Sequence, residues 1–162
     1  MALVVQLHGD VEASARRLHV LHASRLHCGE GCSGCCLDDL TVFEVEADVI
    51  RTEHAALLAH GEPHAVGGCA FLSETGACRI YADRPYVCRT QGLPLRWLEE
   101  SETDDEPTLE YRDICPLNEA GEPLETLPAE ACWTLGPIED RLARLALEAP
   151  GRTSLRSLFL PR

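Results

Sequence analysis

Lysine is absent from the sequence, and the positive charge that remains is sparse. All 14 basic residues are arginine, against 27 acidic residues, and the formal net charge at pH 7 is −13. The absence of lysine excludes any mechanism that uses a catalytic lysine. A protein that binds nucleic acid needs a positive face to replace condensed counterions, and no basic stretch is present. The same deficit argues against binding to an anionic membrane surface.

Long apolar runs are missing as well. No stretch of about 18 consecutive apolar residues occurs, so the sequence predicts no membrane-spanning helix. Residues 1–10 contain no basic segment followed by an apolar run, which argues against a secretory signal. We therefore expect a cytoplasmic protein, in a compartment that keeps thiols reduced.

Cysteine, in contrast, is abundant for a reduced compartment. The odd count of nine fits poorly with complete disulfide pairing, and exposed free thiols invite oxidation. A reduced protein that keeps this many cysteines usually coordinates a metal. Thiolates are soft ligands, which favour zinc, copper(I) and iron–sulfur clusters over magnesium or calcium.

Four cysteines fall within nine residues, at Cys28, Cys32, Cys35 and Cys36. Spacings of two or three residues bring sulfurs to one point without a long loop to close. The alternative, buried thiols that act as small apolar side chains, is disfavoured because the flanking residues are Gly and Ser. Adjacent side chains point in divergent directions, so Cys35 and Cys36 would be strained on one tetrahedral ion. We expect this segment to supply three ligands to one centre and to need a fourth from elsewhere.

Later cysteines can provide that fourth ligand. Cys69 and Cys78 flank a predicted hairpin turn, where antiparallel pairing brings them close. Cys88 follows soon after, and Cys115 ends a later strand pair. Two arrangements are open, namely one metal centre with several spare cysteines or two four-sulfur sites. The candidate metal ligands are Cys28, Cys32, Cys35, Cys36, Cys69, Cys78, Cys88 and Cys115.

Hydrophobic periodicity and capping residues predict three helices and four short strands. Residues 1–10 are expected to form a lead-in strand or a loose tail, and Asp10 is expected to cap the first helix. Thr41 and Glu44 match a capping box at the start of the second helix, which Gly61 ends. The predicted helices are about 10–25, 41–60 and 137–149, and the predicted strands are about 69–73, 78–82, 93–98 and 108–112.

These elements indicate one small α+β domain over all 162 residues, with one or two β-hairpins organised around a cysteine-rich metal site. The motif region spans about 28–118. An acidic segment, 99–106, connects the last two strands and is predicted to be a solvated loop. The alternative for this segment is a docking site for a basic protein partner.

Three arginines, Arg79, Arg84 and Arg89, lie among the later cysteines. Their guanidinium groups would offset the negative charge of a four-thiolate site and donate hydrogen bonds to sulfur. The alternative is that Arg84 pairs with a structural carboxylate such as Glu44.

The cysteine pattern also carries a family resemblance. It consists of Cys28-x3-Cys32-x2-Cys35-Cys36, Cys69-Ala-Phe-Leu, Cys78-Arg-Ile-Tyr81, Arg84-Pro85-x2-Cys88-Arg89 and Cys115-Pro116. From about residue 28 to 118, this pattern resembles the YkgJ-type cysteine-cluster family, whose members are described as zinc- or iron-chelating domains. The family's motif has two residues between its first two cysteines, where this chain has three. The resemblance implies a cysteine-bound zinc or iron centre.

The sequence therefore predicts a metal-binding protein that holds zinc or an iron–sulfur cluster, with a redox or metal-handling role and no assigned catalytic residue. One alternative is a structural zinc module that binds a protein partner. A second is an iron–sulfur methylase, because flagellin lysine N-methylases carry a similar pattern; this chain is shorter and has no glycine-rich loop suited to a nucleoside cofactor. A third is a thiol oxidoreductase using Cys32-Ser-Gly-Cys35, although no strong strand precedes Cys32.

Overall fold

The computed structural model describes residues 1–29, 31–99, 108–146 and 151–159. Within these ranges the chain forms five α-helices and two small β-sheets, which confirms the predicted α+β class. The helices are α1 (Ala2–Leu21), α2 (Glu44–Glu53), α3 (Ala55–His60), α4 (Tyr86–Arg89) and α5 (Pro137–Leu145). The strands are β1 (Thr41–Phe43), β2 (Leu95–Glu99), β3 (Leu109–Asp113), β4 (Trp133–Thr134) and β5 (Arg152–Ser154). Short 3-10 turns lie at Tyr81–Asp83, Pro116–Asn118, Leu124–Thr126, Ala129–Ala131 and Arg156–Phe159.

Helix α1 begins at the start of the chain, so the predicted strand or loose tail over 1–10 is wrong, and Asp10 lies inside the helix. The reason is that the apolar repeat continues upstream of Asp10. Val4 and Leu7 extend the buried face of the helix by two turns and are 2% and 1% exposed. The helix also ends earlier than predicted, at Leu21. Neither α1 nor any other helix among the described residues has the length and apolar character that crossing a membrane requires.

The predicted helix over 41–60 is divided in the structure. Its first three residues form β1, which pairs antiparallel with β5, and α2 starts only at Glu44. The carboxylate that caps this start belongs to Glu46, whose Oε2 accepts a hydrogen bond from the Phe43 N–H at 3.4 Å. A break at His54 separates α2 from α3, and Gly61 follows the end of α3 as predicted. Pairing with β5 overrides the local helix signal at Thr41, because strand hydrogen bonds satisfy backbone groups that a helix start leaves free.

The predicted hairpin of 69–73 and 78–82 is reduced to a single bridge between Leu72 and Cys78. Gly76 turns the chain with a φ of +78°, a conformation that favours glycine. Beyond the bridge the second segment enters the 3-10 turn at Tyr81–Asp83. Pro85, which has no N–H to donate, follows this turn, so the ladder cannot extend.

The predicted strand pair is confirmed as β2 and β3. They are antiparallel, with Trp97 opposite Tyr111, and the two rings stack with centroids 5.6 Å apart. Strand β4 adds to the free edge of β2 in parallel, a long-range pairing that the sequence did not reveal. Most of the predicted acidic loop over 99–106 lies outside the described residues.

Two hydrophobic clusters form the main core. The first joins α1, α5, β4 and the segment before β2, and includes Leu142 of α5. The second joins β1, α2 and the chain around Phe71 and Ile80. Cys69 belongs to this second cluster, and Cys36 and Cys78 pack against it. The core thus holds part of the cysteine-rich region in place.

Candidate metal centre

All nine cysteines are free thiols. Free thiols are the form from which metal ligands are made, because a disulfide sulfur has no negative charge to donate to a cation. Eight of the nine are the ligands proposed from the sequence, and the effects of their sulfurs on one another's pKa values connect them in two overlapping sets.

The first group is built around Cys28. Burial of its sulfur raises the pKa of the Cys28 thiol, and the nearby sulfurs of Cys32 and Cys115 add to the rise. Cys35 makes a smaller contribution in the same direction. Sulfurs affect each other in this way only at short range, because solvent screens distant charges. We call Cys28, Cys32 and Cys115 the Cys28 group.

Two polar contacts of Asn118 connect Cys28 and Cys115, two members of the Cys28 group. The Nδ2 of Asn118 donates a hydrogen bond to Cys28 Sγ at 3.2 Å, which opposes the rise in the Cys28 pKa. The backbone N–H of Asn118 donates to the Cys115 carbonyl at 2.7 Å, at the start of the 3-10 turn Pro116–Asn118. One residue therefore contacts both ends of the group.

The second group surrounds Cys88, on the short helix α4. Burial raises the pKa of the Cys88 thiol to about 12. Nearby sulfurs of Cys69, Cys78 and Cys35 contribute to this rise. The pKa of Cys36 is also raised, first by its hydrogen bond with Cys35 and by burial, then by other sulfurs that include Cys69 and Cys88. We call Cys36, Cys69, Cys78 and Cys88 the Cys88 group.

Backbone contacts explain why distant cysteines meet in the Cys88 group. The Cys69 N–H donates to the Cys36 carbonyl at 2.9 Å, which joins the early cysteine segment to the later one. Cys78 forms the bridge with Leu72. Cys88 lies in the first turn after Pro85, where its N–H donates to the Pro85 carbonyl at 3.0 Å.

Cys35 and Cys36 lie in a tight turn, in which the Cys36 N–H donates to the Ser33 carbonyl at 2.9 Å and the Leu37 N–H to the Cys35 carbonyl at 3.1 Å. That the two side chains would be strained on one tetrahedral ion stays a prediction. A hydrogen bond links the two side chains. This hydrogen bond lowers the pKa of Cys35 to about 6 and raises that of Cys36. Cys35 raises the pKa values of both Cys28 and Cys88, so its sulfur affects both groups.

The thiols affect one another's pKa values but do not form a preformed metal site. Among the described residues, no three or more His, Cys, Asp or Glu side chains are arranged to hold a metal ion as they stand. Binding would require deprotonation of the thiols and adjustment of their side chains. The fit to a soft metal therefore rests on the chemistry of the donor set and on its clustering.

Arg84 pairs with a structural carboxylate, as the alternative interpretation of the sequence proposed, but that carboxylate belongs to Glu12 and not to Glu44. Arg84 and Arg89 both reach Glu12 of α1, with N–O distances of 3.3 and 3.2 Å. Glu44 forms an ion pair with Arg51 at 2.7 Å. The sequence could not show that packing of α1 against α4 places Glu12 between the two arginines.

Hydrogen bonds from Arg79, Arg84 and Arg89 to sulfur were predicted. None is present among the described residues. Arg79 donates to the carbonyls of Glu62 and Ala70 at 2.8 and 2.7 Å. Burial raises the pKa of Cys78, and the positive charges of Arg84 and Arg79 oppose that rise. Their effect on the sulfurs is therefore electrostatic.

Sequence reasoning missed Asn118. It is the single asparagine of the chain and is fully buried, at 0% exposure. Its position three residues after Cys115 is the only signal that could have suggested a link to the cysteines. Cys132, to which sequence reasoning assigned no role, lies apart from both groups in a small apolar cluster with Leu127 and Ala131.

Residues 27–116, more than half of the chain, match the model of the family CxxCxxCC, which is described as a "putative zinc- or iron-chelating domain". The match confirms the resemblance inferred from the cysteine pattern. All eight candidate ligands lie inside the matched segment, and Cys132 lies outside it. No curated protein and no solved structure matches the chain.

Proposed function

Because the chain belongs to the CxxCxxCC family of zinc- or iron-chelating domains, we propose that it is a cytoplasmic metal-binding protein that holds zinc or iron through cysteine thiolates. The observation that supports this proposal is that eight free thiols, from four separate parts of the sequence, lie within the family-matched residues and that several of their sulfurs raise one another's pKa values. Soft anionic sulfur at this density favours zinc or an iron–sulfur cluster over hard cations.

Two four-sulfur centres fit the grouping better than one centre with spare cysteines. Cys35, which interacts with Cys28, would complete the Cys28 group. The Cys88 group already contains four cysteines. Four thiolates are a common ligand set for structural zinc and for iron–sulfur clusters. The proposed ligands of the first centre are Cys28, Cys32, Cys35 and Cys115, and those of the second are Cys36, Cys69, Cys78 and Cys88.

A structural zinc module is the second candidate. It is favoured because the cysteines of each group come from segments far apart in sequence. A metal bound there would hold those segments together. A thiol oxidoreductase receives less support. Cys32 and Cys35 lie in the irregular segment between α1 and β1, whereas redox-active pairs of this spacing lie at a helix N-terminus after a strand.

Elemental analysis of anaerobically purified protein, with an assay for acid-labile sulfide, tests the proposal. Zinc without sulfide would identify thiolate-bound zinc, and iron with sulfide would identify a cluster. A protein that contains neither metal, and that takes up neither when all thiols are reduced, would contradict the proposal.

Replacement of Cys69 by Ser tests the number of centres. With two independent centres, we expect Cys69→Ser to lower the bound metal by about half, because only the Cys88 group loses a ligand. Cys132→Ser is the matched control and should leave the metal content unchanged. Complete loss of metal in Cys69→Ser would favour one shared centre.

A further inference from the structure

We propose that Asn118 and Gly92 form a cradle that positions the Cys28 sulfur beside Cys115, so that both can face one metal ion. The inference rests on the proposed function, since it assigns the cradle to the first of the two sulfur centres. Neither residue is itself a ligand in this proposal. Each acts through Cys28.

The Asn118 side chain is held in one orientation by its partners. Its Nδ2 donates to Cys28 Sγ at 3.2 Å and to the Gly92 carbonyl at 2.8 Å, and its Oδ1 accepts from the His27 N–H at 2.8 Å. The Gly92 carbonyl can only accept and the His27 N–H can only donate, so a flipped amide would face like with like. The N–H that points at the sulfur is therefore fixed by two backbone groups.

Burial makes this arrangement rigid. Asn118 is 0% exposed, and a buried amide that lost its hydrogen bonds would have no water to replace them. Its own carbonyl accepts from Arg25 Nε at 3.0 Å, and its N–H donates to the Cys115 carbonyl at 2.7 Å. The side chain thus fixes Cys28 while the backbone fixes Cys115.

Gly92 provides the other wall of the cradle. Its φ is +89°, and a Cβ at this position would lie 2.6 Å from Cys28 Sγ and 3.2 Å from Asn118 Nδ2. The sulfur therefore occupies the space that a side chain would take. This close approach explains the need for glycine on steric grounds as well as conformational ones.

A hydrogen bond to a ligating sulfur orients it and offsets its charge, and loss of such a partner typically weakens metal affinity by about 10- to 100-fold. We expect Asn118→Asp, which keeps the size and the acceptor but loses the donor, to weaken Co²⁺ binding at the Cys28 group by about this factor. The Cys88 group should keep its affinity. The measurement is Co²⁺ titration of the metal-free, reduced full chain, followed by thiolate-to-cobalt charge-transfer absorption. Variants Cys28→Ser and Cys69→Ser assign the two binding phases.

A double variant separates positioning from general stability. In the Cys28→Ser background the donor has lost its sulfur, so adding Asn118→Asp should cause no further loss of Co²⁺ affinity at this group. A residue that only supports the fold would weaken both groups alike, in either background. Equal weakening of both groups, or no weakening at all, would overturn the proposal.

Gly92→Ala decides the question if the buried carboxylate of Asn118→Asp prevents folding. The added methyl group should displace the Cys28 sulfur and weaken the Cys28 group selectively. Gly136→Ala is the matched control, because Gly136 has a φ of +108° and no atom lies within 4 Å of the place that its Cβ would take, so the variant carries backbone strain without touching sulfur. Equal Co²⁺ affinities of these two alanine variants would overturn the proposal. If the unaltered protein bound no Co²⁺, the proposed function itself would fail, a result visible before any variant is made.

Discussion

At the scale of single residues, Glu46 is a buried carboxylate with three polar partners outside the sulfur groups. Its side chain is 3% exposed and its carboxylate accepts from the Tyr86 N–H at 2.7 Å and the Phe43 N–H at 3.4 Å. It also lies 2.9 Å from His8 Nε2. This one side chain therefore links α1, the start of α2 and the helix that carries Cys88.

Removal of Glu46 should destabilise the fold strongly. Glu46→Ala would leave buried backbone N–H groups without an acceptor, so we expect a loss of about 3 kcal/mol in the free energy of unfolding. Urea unfolding of the metal-free protein measures it. Glu53→Ala, at an exposed position of the same helix, should cost less than about 0.5 kcal/mol. Equal losses in the two variants would show that the buried contacts of Glu46 are unimportant.

The Cys35–Cys36 pair predicts a pH-dependent reaction in the metal-free protein. Because the hydrogen bond from Cys36 lowers the pKa of Cys35 from 9.0 to about 6, the reactive thiolate is present above pH 6 and is lost as the pH falls through that value. We expect alkylation of Cys35 by iodoacetamide to follow this profile, read by mass spectrometry of the Cys35 peptide.

The matched variant is Cys36→Ala, which removes the donor. It should move the alkylation profile of Cys35 toward pH 9.0, the ordinary pKa of a thiol. Cys132→Ala should leave the profile in place. An unchanged profile in Cys36→Ala would assign the low pKa to another cause.

Residue identity could be predicted only where chemistry is concentrated in the sequence. The density of thiols near Cys28 and the later group of cysteines were together enough to propose eight ligands, which stay a prediction. The role of Asn118 could not be predicted, because its link to Cys28 depends on a contact between segments 90 residues apart. The Arg84–Glu12 contact could not be predicted for the same reason.

At the scale of elements, the start of helix α1 before Asp10 can be tested by substitution. Leu7 is 1% exposed and Leu3 is 63% exposed, although both lie in the segment for which a strand or tail was predicted. We expect Leu7→Ala to lower the free energy of unfolding by about 2–5 kcal/mol. Leu3→Ala should change it by less than about 0.5 kcal/mol. Thermal or urea unfolding would measure both, and similar values for the two would argue against a packed helix over these residues.

Elements with a strong local signal could be predicted, and elements that depend on a distant partner could not. Strands β2 and β3 follow each other along the chain, and α5 has Pro137 at its start and Leu142 on its buried face. Strand β1 has three residues and exists through its pairing with β5, which is more than a hundred residues away in sequence. The capping-box prediction at Thr41 is therefore wrong.

For the whole molecule, removal of metal should lower stability. Both sulfur groups join separate segments, and a ligand that binds only the folded state stabilises it by about 2.7 kcal/mol at a free concentration of about 100 times Kd. We expect chelation to lower the unfolding temperature of metal-loaded protein and metal addition to restore it. Differential scanning calorimetry with and without chelator checks this.

The variant Cys88→Ser should lose part of this stabilisation, and Cys132→Ser should keep all of it. Cys132 is the matched control because it lies outside both sulfur groups, in a small apolar cluster of its own. A chelator that left the unfolding temperature unchanged would show that bound metal does not hold the segments together.

The pairing of β1 with β5 has a consequence for the order of events during synthesis. Thr41–Phe43 leave the ribosome soon after the first four cysteines, but the strand they pair with, Arg152–Ser154, emerges much later. Cys115 and Asn118 are likewise translated long after Cys28. Contacts of such high sequence separation form slowly. The nascent chain therefore carries Cys28 without its Asn118 partner until residue 118 has been translated, and under the proposed function the first centre can be completed only after that point.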